Sequence, residues 1–145
     1  MSDPVLLDTS AIFALIDDEE GAETVEDYLN AAYKGKVRLF ASFVSLIEVR
    51  YIVIQEKDEP SADYLVALVK SWPLKWIYPD ERQCLLAARF KAQYRISLAD
   101  AMIAAAAHTL KALLVHKDPE FDPLSSEIQL LVLPYRKRKA NNNLK

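Results

Sequence analysis

Val5-Leu6-Leu7-Asp8-Thr9-Ser10-Ala11-Ile12-Phe13-Ala14-Leu15-Ile16 is the stretch on which the reading of this chain turns. A short apolar run, residues 5–7, ends at an acid, and Ile12, Phe13, Leu15 and Ile16 then recur at near-helical spacing. This is a buried strand running straight into a helix, with Asp8, Thr9 and Ser10 at the junction. Outward from it, residues 37–41, 74–78, 112–116 and 128–133 form further short apolar runs. Helical patterns separate them: one reaching about residue 34, one from Pro60 to Trp72, one over 80–94, and an alanine-rich one over 97–111 that Ser97 caps. Short apolar strands alternating with helices predict an α/β fold, with a largely parallel β-sheet flanked by helices on both faces, a three-layer α/β/α arrangement. Ligands of such sheets gather at the carboxyl ends of the strands.

Residues 43–54 are the one ambiguous segment. Nine of the twelve are apolar, and the β-branched Val44, Ile47, Val49, Ile52, Val53 and Ile54 favour a strand, while the length and a cap at Ser42 favour a helix.

The 145 residues fit one domain, expected over 1–135, with 136–145 as a basic, flexible tail. Half the chain is hydrophobic (52%) and 27% is charged, an ordinary globular balance. The longest apolar run, residues 101–107, is far below the roughly 18 residues of a bilayer crossing, and no signal-like start precedes it, so no membrane role and a cytoplasmic location are expected. One cysteine, Cys84, excludes an internal disulfide and a Cys-rich zinc site. Two glycines, Gly21 and Gly35, exclude a glycine-rich phosphate loop. The net charge is −3, and setting aside the five basic residues of 134–145 leaves −8 on the rest, which argues against a general nucleic-acid-coating surface.

Four acids carry the chemistry. Asp8 and Asp118 both end strands and would face one crevice, although each alone is explained as a helix cap, Asp118 with Pro119 behind it. Asp100 fits a capping box with Ser97, but that box prefers Glu or Gln. Glu48 has the weakest structural excuse: it sits in the most apolar segment, where an unpaired carboxylate loses several kcal/mol of hydration. If the segment is helical, Arg50 lies two residues away and is poorly placed to pair with it. Carboxylates converging without countercharge raise one another's pKa values, which a divalent cation relieves. All-oxygen ligation suits Mg²⁺ or Mn²⁺. The acid run 17–27 reads as a solvated helix start, and His116 as a strand-end histidine in contact with solvent.

The order LLDTSAIFALI (6–16), SLIEVRY (45–51), ISLADAMIAAAA (96–107) and LLVHKDPEF (113–121) resembles the PIN domain family and, within it, the VapC-like toxins. The resemblance implies a PIN-like fold with residues 43–54 helical. It also implies a Mg²⁺ or Mn²⁺ site for RNA cleavage at Asp8, Glu48, Asp100 and Asp118, with Glu120 as a further, outer ligand. Two residues before the fourth acid the family often carries Ser or Thr, and here His116 stands instead. A metal-dependent endoribonuclease follows, the toxin of a type II pair with an antitoxin partner, expected as a homodimer. Thr9, Ser10, Lys117 and Arg50 are candidates for contacts to the RNA substrate. The alternatives are a PIN-type nuclease in RNA processing or a non-catalytic RNA- or partner-binding domain of the same fold. A receiver-like phosphoacceptor ranks lower, because only Asp3 stands near Asp8 where an acidic pair is wanted.

Overall fold

A computed structural model of the chain describes residues 3–135; the expected basic tail lies outside the described residues. The elements run β1 (Pro4–Leu7), α1 (Thr9–Ile16), α2 (Ala22–Tyr33), β2 (Arg38–Ser42), α3 (Phe43–Glu56), α4 (Glu59–Lys70), β3 (Lys75–Ile77), α5 (Glu81–Gln93), α6 (Leu98–Leu110), β4 (Leu113–His116), a 3₁₀ turn (Pro119–Leu124) and β5 (Gln129–Val132). All five strands are parallel, in the order β3-β2-β1-β4-β5.

Because side chains alternate along a strand, the sheet feeds two cores. Leu6, Phe40 and Leu114 point into one, against Phe90 of α5, Ile103 of α6, and Phe121 and Leu124 of the 3₁₀ turn. Val5, Leu7, Leu39, Ala41 and Val115 point into the other, against Ile12, Val25, Leu29 and Val69. The three layers expected from the sequence follow from that division.

Residues 43–54 form a helix. Ser42 decides it: its backbone is extended and its hydroxyl accepts from the Val44 amide at 3.1 Å, supplying a partner that the first turn of a helix lacks. The β-branched residues are accommodated because Val44, Val49 and Val53 are buried, and packing outweighs their small helix penalty. In α6, Ala101 and Ala104 to Ala107 are all at most 1% exposed. Side chains this small let the helix axis approach the sheet closely and bring its amino end down towards the strand ends. Among the described residues no helix is long and apolar enough to cross a membrane.

Candidate metal centre

β1 sits at the middle of the sheet, so whatever follows Leu7 is flanked by the ends of β2 and β4. Asp8 is that residue, 3% exposed, its amide bound to the Val115 carbonyl at 3.0 Å. Its carboxylate accepts from the Ser10 amide at 3.0 Å and from the Ser10 hydroxyl. The capping role expected of it is therefore real. Burial pushes its carboxyl up to about 6; the Ser10 hydrogen bonds oppose that rise, and the charges of Glu48 and Asp118 add to it.

Glu48 enters from α3. Thr9 donates its hydroxyl proton to Glu48 Oε1 at 2.6 Å, and the fully buried Ser45 lies 2.7 Å from the same Thr9 oxygen. Since Thr9 spends its one proton on the carboxylate, Ser45 is the donor to Thr9, and a hydroxyl relay runs Ser45 to Thr9 to Glu48. Ser45 went unnoticed in the sequence. Its signal was the three-residue spacing from Glu48, which puts the two on one helix face once the segment is known to be helical.

Asp100, 8% exposed, occupies the first turn of α6, where its amide donates to the Ser97 hydroxyl at 3.0 Å. Burial raises its carboxyl well above the carboxylate range; the hydrogen bond with Glu120 and the charges of Asp8 and Asp118 push the same way. Glu120 moves oppositely, held low by the hydrogen bond from Asp100 and then by the Ser97 amide, which reaches its Oε1 at 3.1 Å. The shared proton thus resides on Asp100. Asp118 caps the 3₁₀ turn, its Oδ1 accepting from the Glu120 amide at 2.9 Å. One oxygen each from Asp100, Asp118 and Glu120 lie within 4.8 Å of one another. Opposite ligands of an octahedral Mg²⁺ shell stand about 4.2 Å apart, so the three span close to one such shell.

Three basic residues, Lys117, Arg50 and Lys91, are engaged in contacts of their own. Lys117 donates to Glu19 Oε1 at 3.1 Å and to the Glu20 carbonyl at 2.8 Å, and only its amide serves the site, donating to the Ser10 hydroxyl at 2.8 Å. Arg50 pairs with Asp63 at 3.0 Å and Glu59 at 3.5 Å on α4. Lys91 donates to the Ile96 carbonyl at 2.7 Å, though its charge still helps to hold Glu120 low.

His116 does not meet solvent as expected. It is 0% exposed, because β4 lies between β1 and β5, and its ring packs edge-on against Phe121 at 5.1 Å. Its Nδ1 accepts from the Asp118 amide at 3.0 Å, and burial lowers its pKa. The neutral ring is thus an acceptor that fixes the start of the Asp118 turn.

No curated protein matches the chain in sequence. Among solved structures, the chain is similar in fold to VapBC2 from Rickettsia felis bound to a DNA fragment from its promoter (TM-score 0.75, 18% identity, 90% of this chain and 99% of that one). It is also similar to DNA-bound VapBC from Salmonella typhimurium (TM-score 0.71, 19% identity, 91% and 98%). A third likeness is to Mycobacterium tuberculosis VapC20, a Sarcin-Ricin loop cleaving toxin (TM-score 0.66, 16% identity, 90% and 99%). The sequence model of the PIN domain family matches residues 5–125, which takes in Asp8, Glu48, Asp100, Asp118 and Glu120, and the chain belongs to that family.

Proposed function

We propose that this PIN domain is a divalent-metal-dependent endoribonuclease, the toxin of a toxin–antitoxin pair acting in the cytoplasm. Asp8, Glu48, Asp100 and Asp118 are its catalytic and metal-binding carboxylates, and Glu120 is an additional ligand. The observation that carries this is the mutual effect of the acids: Asp8 and Asp100 are both raised, each partly by neighbouring carboxylates, at the strand ends where a parallel sheet binds ligands. An oxygen-only donor set suits Mg²⁺ or Mn²⁺. Bound there, such an ion supplies Lewis acidity towards the phosphoryl oxygens and lowers the pKa of the attacking water.

The chain's own residues prepare the site. Ser10 fixes Asp8, the Ser45–Thr9 relay fixes Glu48, and His116 fixes the turn bearing Asp118. Asp100 gives up its proton to solvent before it can act as a ligand, and Glu120, already ionised, needs no such step. Because water attacks phosphorus in line, the RNA 2′-OH stays out of the reaction. Cleavage of a labelled single-stranded or structured RNA by the purified chain should therefore leave 5′-phosphate and 3′-hydroxyl ends. Products ending in 2′,3′-cyclic phosphate would overturn the mechanism.

Several structural neighbours are toxin–antitoxin complexes, which supports a cognate antitoxin for this chain; the homodimer is proposed on the family resemblance alone. Removing the relay's buried donor tests the supporting shell: Ser45→Ala is expected to weaken Mn²⁺ binding about tenfold by calorimetry, with circular dichroism unchanged. Equal affinity in variant and parent would reduce the relay to packing.

A further inference from the structure

On the β2–β3 side, the carboxyl edge of the sheet continues past the acids into a pair of stacked aromatic rings. Leu7 pairs with Ala41 on β2, and Ala41 with Trp76 on β3; one residue further on, Asp8, Ser42 and Ile77 stand level across three adjacent strands. The next residues after Ser42 and Ile77 are Phe43, which opens α3, and Tyr78. Their rings stack, with centroids 6.2 Å apart and planes 28° apart. At about 4.8 Å between strands, this pair lies on the order of 10 Å across the sheet from Asp8. Phe43 packs against the core that holds α6, and Tyr78 stacks on Phe43, so the pair stands on the same side of the sheet as the helix that carries Asp100.

The phenol is also held in place. Phe43 is half-buried and supports it from below, whereas Tyr78 is 62% exposed. Behind it, Pro79 restricts the Tyr78 backbone to extended conformations, and Asp80 then caps α5, its Oδ1 bound to the Gln83 amide at 2.8 Å. An exposed tyrosine alone needs no explanation. One whose backbone is restrained by the following proline, whose ring is backed by a second ring and which stands near the strand end bearing Asp8 has its face presorted for stacking, and little entropy is lost when a base lands on it.

We infer that the Phe43–Tyr78 pair is a nucleobase platform, on which an unpaired base flanking the scissile phosphate stacks. The inference rests on the ribonuclease reading and adds a subsite to it. Stacking is tolerant of base identity, so the platform selects single-stranded or splayed-out substrate rather than a particular letter. It explains how an acidic chain whose nearby Lys117 and Arg50 heads are already paired holds a polyanion: part of the grip falls on the bases.

The test uses the full chain with Mn²⁺ and single-stranded oligoribonucleotides carrying 2-aminopurine at successive positions. Tyr78→Ala should raise KM about tenfold with kcat changed less, and Tyr78→Trp should restore it. In the parent, fluorescence of the probe should be quenched at one position, and Tyr78→Ala should abolish that quenching. Tyr33→Ala, at the end of α2 and 67% exposed, should match the parent in both readouts. An active enzyme whose KM and quenching are indifferent to Tyr78→Ala overturns the platform and assigns the rings to a protein contact. A parent chain that cleaves no RNA overturns the ribonuclease reading itself, and the platform with it.

Discussion

Asp8→Asn should abolish RNA cleavage, by about a thousandfold or more, while making the metal-free protein more stable. The first half follows from removing a charged ligand whose ion supplies several kcal/mol of transition-state stabilisation. The second follows from burial. Asp8 is 3% exposed, and its carboxyl is pushed up to about 6 from an ordinary 3.8. At pH 8 the ionised form is therefore disfavoured in the folded state by on the order of 2–3 kcal/mol relative to the unfolded chain. Asparagine removes that penalty and keeps an oxygen to accept from the Ser10 amide. Urea denaturation in EDTA should show the variant more stable than the parent at pH 8, with the gap closing below about pH 4, where the parent carboxyl is protonated in both states. A variant that folds and still cleaves would take Asp8 out of the chemistry. One that loses stability at pH 8 would make the cap its main role.

Chelation is the second large effect. EDTA should reduce cleavage to background, and Mn²⁺ at a hundred times its dissociation constant should stabilise the folded chain by about 2.7 kcal/mol. The ligands bind ionised, so the gain depends on pH. Asp8 is protonated below about 6 and Asp100, raised further, keeps its proton to higher pH still. The signs then oppose one another. Without metal, the raised carboxyls leave the chain most stable below the unfolded carboxylate pKa, and that stability is lost as pH rises through the folded values. With Mn²⁺, the added stabilisation appears as pH rises through the same window. Thermal melts from pH 4 to 8 with and without Mn²⁺ should diverge upwards; parallel curves would mean that these acids do not hold the ion.

The strand ends and helix starts were legible because local chemistry marks them. Val5 to Leu7 before Asp8, Ser97 before α6 and Pro119 after Asp118 are signals within a few residues of their effect. Residues 43–54 were not, since β-branched composition and a serine cap pull opposite ways, and the burial of Val44, Val49 and Val53 that lets the Ser42 cap prevail is visible only in the folded chain. What the sequence could not display is where long side chains end. Lys117 reaches Glu19 and Arg50 reaches Asp63, contacts made across the fold. The burial of His116 is likewise invisible locally, because strand-end position says nothing of which strand will lie beside it; β5, thirteen or more residues on, does the covering.

The pairing of β1 with both β2 and β4 also orders events in time. Asp8 acquires its neighbours at residues 100 and 118 only when β4 docks, and Val5 meets Leu113 across more than a hundred residues of chain. Closing so long a loop is slow and comes late, after the local helices have formed. Synthesised from its amino end, a chain of this topology exposes Asp8 long before residues 100 and 118 exist, so the acids stay dispersed until β4 has been made and has docked beside β1.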